Sequence, residues 1–213
     1  GVRIMNHLMI DTETLGNGPD AAIFAIGAVF FDPFTGKLGK QFEKFIDPVD
    51  SERNGGTVNA ATAVWWAGQS VEARSCLRNA DGTELAAVTE FLAFISRNMH
   101  DESPGNSLNI WCKGASFDFP ILKSAITRTA GEKSIPWCYW NERCMRPLIA
   151  MAESTGWKMP GRSGKETIAH TALGDAVYQA KVVSEIWQRF TTPFLMPREP
   201  WPPGIAWTPR WMP

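Results

Sequence analysis

Ala21–Phe31 is an eleven-residue apolar run broken only by Gly27. A membrane-spanning helix needs about 20 such residues, so this run belongs to a protein interior. Ile23–Phe31 is rich in Ile, Phe and Val and reads as a strand. Asp32-Pro33 and Thr35-Gly36 close it with a turn, and Gln41–Ile46 reads as the return strand of a hairpin. Upstream, Leu8-Met9-Ile10 is a short apolar run that stops at Asp11, and Gly16, Gly18 and Pro19 then force a turn. Downstream, Asn59–Gln69, Thr83–Arg97, Asp118–Arg128 and Arg146–Glu153 have helical composition, and Leu108–Cys112 is a strand ended by Gly114. Ala172–Phe190 is the strongest helix, with Val177, Ala180, Val183, Ser184 and Trp187 on one stripe. Hairpin strands first, then mixed strands and helices, argue α/β or α+β with a mixed sheet.

The 213 residues suit one domain, and 44% apolar with 20% charged residues excludes a wholly disordered chain. The net charge of −1 means that any contact with nucleic acid must come from a local patch. Cys76, Cys112, Cys138 and Cys144 show no C-x-x-C spacing, which argues against a zinc or dithiol motif and for a reducing compartment. With no leader pattern and no bilayer-length segment, the expectation is a cytoplasmic protein without membrane contact. From Pro193 onward the composition changes: seven of 15 prolines and three of ten tryptophans fall in the last 21 residues. The reading is a domain over 5–192 and a non-helical tail over 193–213, wrapped on the domain through Trp201, Trp207 and Trp211.

Three motifs carry chemistry. In Asp11-Thr12-Glu13-Thr14 two carboxylates stand two apart on an extended chain, so both face one side. Anions that close repel unless a cation lies between them. In Gly114-Ala115-Ser116-Phe117-Asp118 a strand ends and an Asp lands near a helix start. In His170-Thr171-Ala172-Leu173-Gly174-Asp175 five residues rotate about 140° on a helix, so His170 and Asp175 share a site only if His170 precedes the helix in a loop that bends back. Each has an ordinary explanation alone: a solvated strand end, a helix cap, a structural histidine. Together they supply four hard oxygen ligands of the kind Mg²⁺ or Mn²⁺ prefers. They also supply an imidazole able to take a proton from water near neutral pH.

Asp-x-Glu, Phe-Asp after a glycine, and His-x-x-x-x-Asp, in that order across residues 11–175, resemble the DEDD exonucleases of the histidine subtype. The resemblance implies a ribonuclease H-like α/β fold, a five-stranded mixed sheet flanked by helices. Thr62-Ala63-Val64-Trp65-Trp66-Ala67-Gly68-Gln69-Ser70 and Glu72-Ala73-Arg74 are similar to phage and prophage exonucleases akin to exodeoxyribonuclease VIII and to a related bacterial exoribonuclease group. By that resemblance Asp11, Glu13, Asp118 and Asp175 hold two Mg²⁺ or Mn²⁺, and His170 is the general base. The substrate is a single-stranded RNA or DNA 3′ end, released as nucleoside 5′-monophosphates. Glu13, with the backbone around Thr12, Thr14 and Leu15, receives the terminal sugar, and Leu15 wedges the last base. Phe117 belongs to the same site, and a homodimer is implied.

Trp65 and Trp66 point about 100° apart on a helix, so one is expected in the core and the other at the surface as a base platform, with Gln69 one turn away. Gly174 is expected to admit a metal or substrate closely. Lys158, Arg162 and Lys165 read equally as a phosphate-gripping or a solvated loop; Gly164-Lys165-Glu166 is no phosphate-binding P-loop, since no Ser or Thr follows the lysine. Two other functions compete. A phosphatase of the haloacid-dehalogenase type wants Asp where this chain has Glu13, and a second Asp where it has Gln179. A catalytically inactive nucleic-acid-binding module would have no reason to keep all four carboxylates and His170.

Overall fold

The structure is a computed structural model that describes residues 5–78, 80–99, 107–164 and 168–195. Five strands form one mixed sheet: β1 (His7–Thr14), β2 (Ile23–Phe31), β3 (Leu38–Phe45), β4 (Asn109–Cys112) and β5 (Glu142–Cys144), in the order β3-β2-β1-β4-β5. β1–β2 and β2–β3 are antiparallel, and β4 pairs parallel with β1 and β5. Seven helices accompany them among the described residues: α1 (Pro48–Arg53), α2 (Ala60–Ala67), α3 (Val71–Arg78), α4 (Glu84–Asn98), α5 (Asp118–Ala130), α6 (Met145–Glu153) and α7 (Ala172–Leu195). None is long and apolar enough to cross a membrane.

Every residue of β2 is buried, because helices cover both sides of the sheet. Its side chains alternate between two cores. Ile26, Ala28 and Phe30 join Leu8 and Ile10 of β1 against Val88 and Phe91 of α4 and Ile121 and Leu122 of α5. Val29 and Phe31 join Met9 against Met145 and Ile149 of α6 and Val177, Ala180 and Val183 of α7. A third, smaller cluster packs Phe24 and Ala25 on Trp66 and Ala73.

Several boundaries differ from the sequence reading. β1 runs through Asp11 to Thr14, so the paired carboxylates lie within a strand; pairing with Gly27, Ile26 and Ala25 of β2 holds it extended past the last apolar residue. Helix α7 continues through Pro193 to Leu195, beyond the expected break, while the rest of the Pro/Trp-rich segment lies outside the described residues. Helices α1 and α3 and strand β5 were not expected as separate elements.

Candidate active site

The floor of the site is built on β1. Asp11 and Glu13 alternate with buried Thr12 and share the face opposite to it. Thr12 turns to α5, where its backbone N–H and hydroxyl both donate to Asp118 Oδ1, at 3.2 and 3.0 Å. Gly114, at φ +136°, makes the turn that ends β4 and sets Asp118 in the first turn of α5.

Helix α7 reaches this floor because of a glycine. Gly27 pairs with Asp11 across β1–β2, and a Cβ there would lie 2.1 Å from the Ala172 carbonyl carbon. The start of α7 thus seats beside Asp11, bringing Asp175 in its first turn and Gln179 one turn later on the same face. Gln179 Nε2 donates to Asp11 Oδ1 at 2.7 Å. His170 occupies the turn before the helix at φ +58°, and its backbone N–H donates to Asp175 Oδ2 at 2.7 Å. The loop bends back as the five-residue spacing requires. Gly174 serves this loop rather than a metal: a Cβ there would lie 2.3 Å from Thr171 Oγ1 and 2.4 Å from the Ile168 carbonyl oxygen.

These residues line one cleft of about 450 Å³, with Thr12, Trp65, Lys113, Phe117, Arg146 and Gln179 completing its wall. One oxygen each of Asp11, Glu13 and Asp175 lie within 4.8 Å of one another. Burial, then repulsion from Asp118, Glu13 and Asp175, pushes the Asp11 carboxyl well above its ordinary range. Burial, then Asp175 and Asp118, lifts Glu13 to about 8. Burial raises Asp118 to about 6 against the lowering hydrogen bonds from Thr12. Glu13 Oε1 is buried with no hydrogen-bond partner. A crowded set of carboxyls with an orphaned oxygen is the donor set a divalent cation fits.

The tryptophan pair splits as the helix rotation requires. Trp66 is 3% exposed, packs edge-on against Phe24, and donates its Nε1–H to the Thr14 carbonyl oxygen at 2.9 Å. Trp65 is 46% exposed and stands edge-to-face with His170 at 5.1 Å between centroids. Other expected substrate residues fall outside the cleft wall. Thr14 donates its hydroxyl to Gly16 O, Gln69 donates to the Trp65 carbonyl, and Leu15 lines a neighbouring groove with Ala63, Trp66 and Leu77. Lys165 lies outside the described residues. Arg162 is not simply a solvated loop cation: its Nη2 is ion-paired with Asp175 Oδ1 and its guanidinium lies 4.3 Å over the Tyr178 ring.

Sequence reasoning passed over three wall residues. Gln179 had a usable signal, four residues after Asp175 on one helix face. Lys113 had a weaker one, at the carboxyl end of a parallel strand. Arg146 had none, since only folding brings its guanidinium to within 4 Å of where a Cβ on Gly114 would be.

A family model described as the 3'-5' exoribonuclease Rv2179c-like domain matches residues 6–187. The chain belongs to this family. It is a 3'→5' exonuclease, and its ribonuclease H-like fold is that of DEDDh exonucleases. It is 28% identical over 195 residues to an exodeoxyribonuclease of Enterobacteria phage T4, covering 80% of this chain and 84% of the relative. Among solved structures it resembles E. coli exonuclease I in complex with a dT13 oligonucleotide, at TM-score 0.64 and 13% identity, over 88% of this chain. It spans only 42% of that exonuclease I chain. It also resembles the nuclease domain of 3'hExo, a DEDDh family member bound to rAMP, at TM-score 0.55 and 14% identity, over 86% of this chain and 92% of the other. The family assignment removes the phosphatase reading, and Gln179, where that chemistry wants an acid, spends its amide on Asp11.

Proposed function

We propose that the exonuclease digests single-stranded RNA or DNA from a free 3′ end, releasing nucleoside 5′-monophosphates one at a time, with two Mg²⁺ or Mn²⁺ held by Asp11, Glu13, Asp118 and Asp175. The observation that carries this reading is the crowding of those carboxylates beneath His170 and Trp65 in one cleft. Bound divalent cations supply charge neutralisation and Lewis acidity at the scissile phosphate.

The chain's own groups supply the rest. A ring nitrogen of His170 takes a proton from the attacking water, and the left-handed turn and the hydrogen bond from the His170 backbone N–H to Asp175 fix where that ring stands. Thr12, with two hydrogen bonds, holds Asp118 in one orientation. Gln179 does the same for Asp11. Trp65 and Phe117 offer apolar faces on which terminal bases stack. Lys113 and Arg146 contact backbone phosphates; both are exposed, and neither has an ion pair among the described residues. The oligonucleotide bound to the E. coli relative supports a single-stranded substrate. The family description names an exoribonuclease and the phage relative an exodeoxyribonuclease, so both polymers are proposed as substrates.

Labelled RNA and DNA oligonucleotides, in Mg²⁺ and in EDTA, test this directly. Stepwise 5′-monophosphate release in Mg²⁺ only, blocked by a 3′-phosphate, is expected. Digestion of a closed circular single strand contradicts it.

A further inference from the structure

We infer that Arg162 is a further residue of this site, one that couples cation binding to substrate binding by exchanging Asp175 for a substrate phosphate. The inference rests on the exonuclease reading above. Its structural basis is the segment 157–164, which is docked on one face of α7. Trp157 Nε1–H donates to Glu185 Oε1 at 2.7 Å, and the Tyr178 hydroxyl donates to the Pro160 carbonyl at 2.7 Å. Arg162 then lies 4.3 Å over the Tyr178 ring with Nη2 on Asp175 Oδ1. Asp175, Tyr178 and Glu185 fall at i, i+3 and i+10, a single helix face. Two anchored residues, Trp157 and Pro160, therefore aim the arginine at a carboxylate of the catalytic cluster.

Both oxygens of Asp175 are engaged, Oδ1 by Arg162 and Oδ2 by the His170 amide. The same carboxylate contributes an oxygen to the Asp11–Glu13–Asp175 cluster. Each oxygen keeps a further lone pair for a cation, but a guanidinium on Oδ1 offsets the carboxylate's charge and repels a second positive charge beside it, so a cation bound there weakens that pair. The His170 amide is main chain, fixed by its turn at φ +58°. Arg162 is a partly exposed side chain on a long, rotatable stem. The guanidinium and the cation thus compete for Asp175. Once displaced, the guanidinium keeps its cation–π seat on Tyr178, three residues from Asp175 of the cleft wall. Its planar fork there matches the oxygens of a nucleic-acid phosphate. A strand that takes up the displaced guanidinium makes cation binding more favourable, and by linkage a bound cation makes strand binding more favourable to the same degree.

The test is a calorimetric Mn²⁺ titration of the full chain, wild type and Arg162→Gln, with and without a single-stranded oligonucleotide whose 3′ phosphorothioate linkage resists hydrolysis. Without oligonucleotide, Arg162→Gln is expected to bind Mn²⁺ about 5-fold or more tightly than wild type, because the competitor is gone. The oligonucleotide should tighten Mn²⁺ binding to wild type by about 5-fold more than to Arg162→Gln, in which only the direct contact of phosphate with cation remains. Equal Mn²⁺ affinity of the two proteins, or an undiminished oligonucleotide effect in the variant, overturns the role of Arg162. An Asp11→Asn control separates this from the reading beneath it. If Asp11→Asn weakens Mn²⁺ binding and Arg162→Gln leaves it unchanged, only the coupling fails. If wild type binds no Mn²⁺ sensitive to Asp11→Asn, the metal-dependent reading fails with it.

Discussion

The floor and the rim of the cleft are held in opposite ways. Asp11 and Glu13 sit in a strand whose neighbours on both sides are strands, and Asp118 is tied to that strand by two hydrogen bonds from Thr12. Their backbones cannot separate, so burial, joined at Asp11 and Glu13 by mutual repulsion, appears as raised proton affinity. His170, Arg162 and Trp65 instead project from a turn, a loop and an exposed helix face, each held by a few contacts. Electrostatic conflict is stored where the scaffold is rigid, and the groups that meet water and substrate stand where adjustment is cheap.

The comparison can be broken first at the floor. Asp118→Asn keeps an oxygen for Thr12 to donate to and removes the charge; activity in Mg²⁺ should be lost while the melting temperature holds or rises. Near-normal turnover would remove Asp118 from the catalytic cluster. At the rim, His170→Ala should lower kcat by about 10²–10⁴-fold, the usual contribution of a general base, with the fold intact. Full activity in that variant would return His170 to a structural role.

The tryptophan pair sharpens the contrast within one helix. Trp66→Ala should cost about 3–5 kcal/mol of stability, as buried aromatic truncations do. Trp65→Ala should leave stability nearly unchanged and raise KM in line with about 1–3 kcal/mol of lost stacking. Denaturant unfolding and steady-state kinetics on both variants read the two effects apart. Equal stability losses would contradict the split.

The raised floor pKa values fix a sign for pH dependence. The folded state of the metal-free protein binds protons more tightly than the unfolded chain at Glu13 and Asp118. The stability these groups contribute is therefore fully present below their ordinary carboxyl range, and is lost as pH rises through about 6 for Asp118 and about 8 for Glu13. The slope is at most about 1.4 kcal/mol per pH unit for each extra proton held. In EDTA the melting temperature should fall between pH 5 and pH 8 (about the window these shifts define), and Glu13→Gln should flatten the fall. A rising profile would count against the crowding. The smallest effect belongs to the wall cations: Lys113→Gln or Arg146→Gln should each reduce the log–log salt dependence of oligonucleotide binding by about 0.7. An unchanged slope in both would take them off the strand's path.

Much of this was legible in the chain. The apolar run at Ala21–Phe31 read as the strand that β2 became, and the stripe of α7 read as the face that packs on the sheet. The splitting of Trp65 from Trp66 followed from helix rotation alone. Helix α3 escaped because only Ala73 and Cys76 of its described side chains are buried, too few apolar positions to read as a stripe. Helix α1 escaped because Asp47-Pro48 signals a turn as readily as a helix start, and β5 because three residues are too few. The end of β1 was placed early because cross-strand hydrogen bonds, not apolar side chains, carry it past Ile10.

The residue types of the site, their order, and the requirement that His170 precede its helix are properties of the sequence alone, because they depend on identity and on the fixed rotation per residue. The convergence of Asp11, Asp118 and Asp175 is not, since it depends on contacts between segments more than 50 residues apart. A glycine at position 27 leaves room for the start of α7 over its cross-strand partner Asp11. Nothing local to the strand or to the helix specifies that approach. It exists only once the sheet and α7 are packed, and with it come the pairing of Gln179 to Asp11, the raised proton affinity of Glu13, and the reach of Arg162 to Asp175.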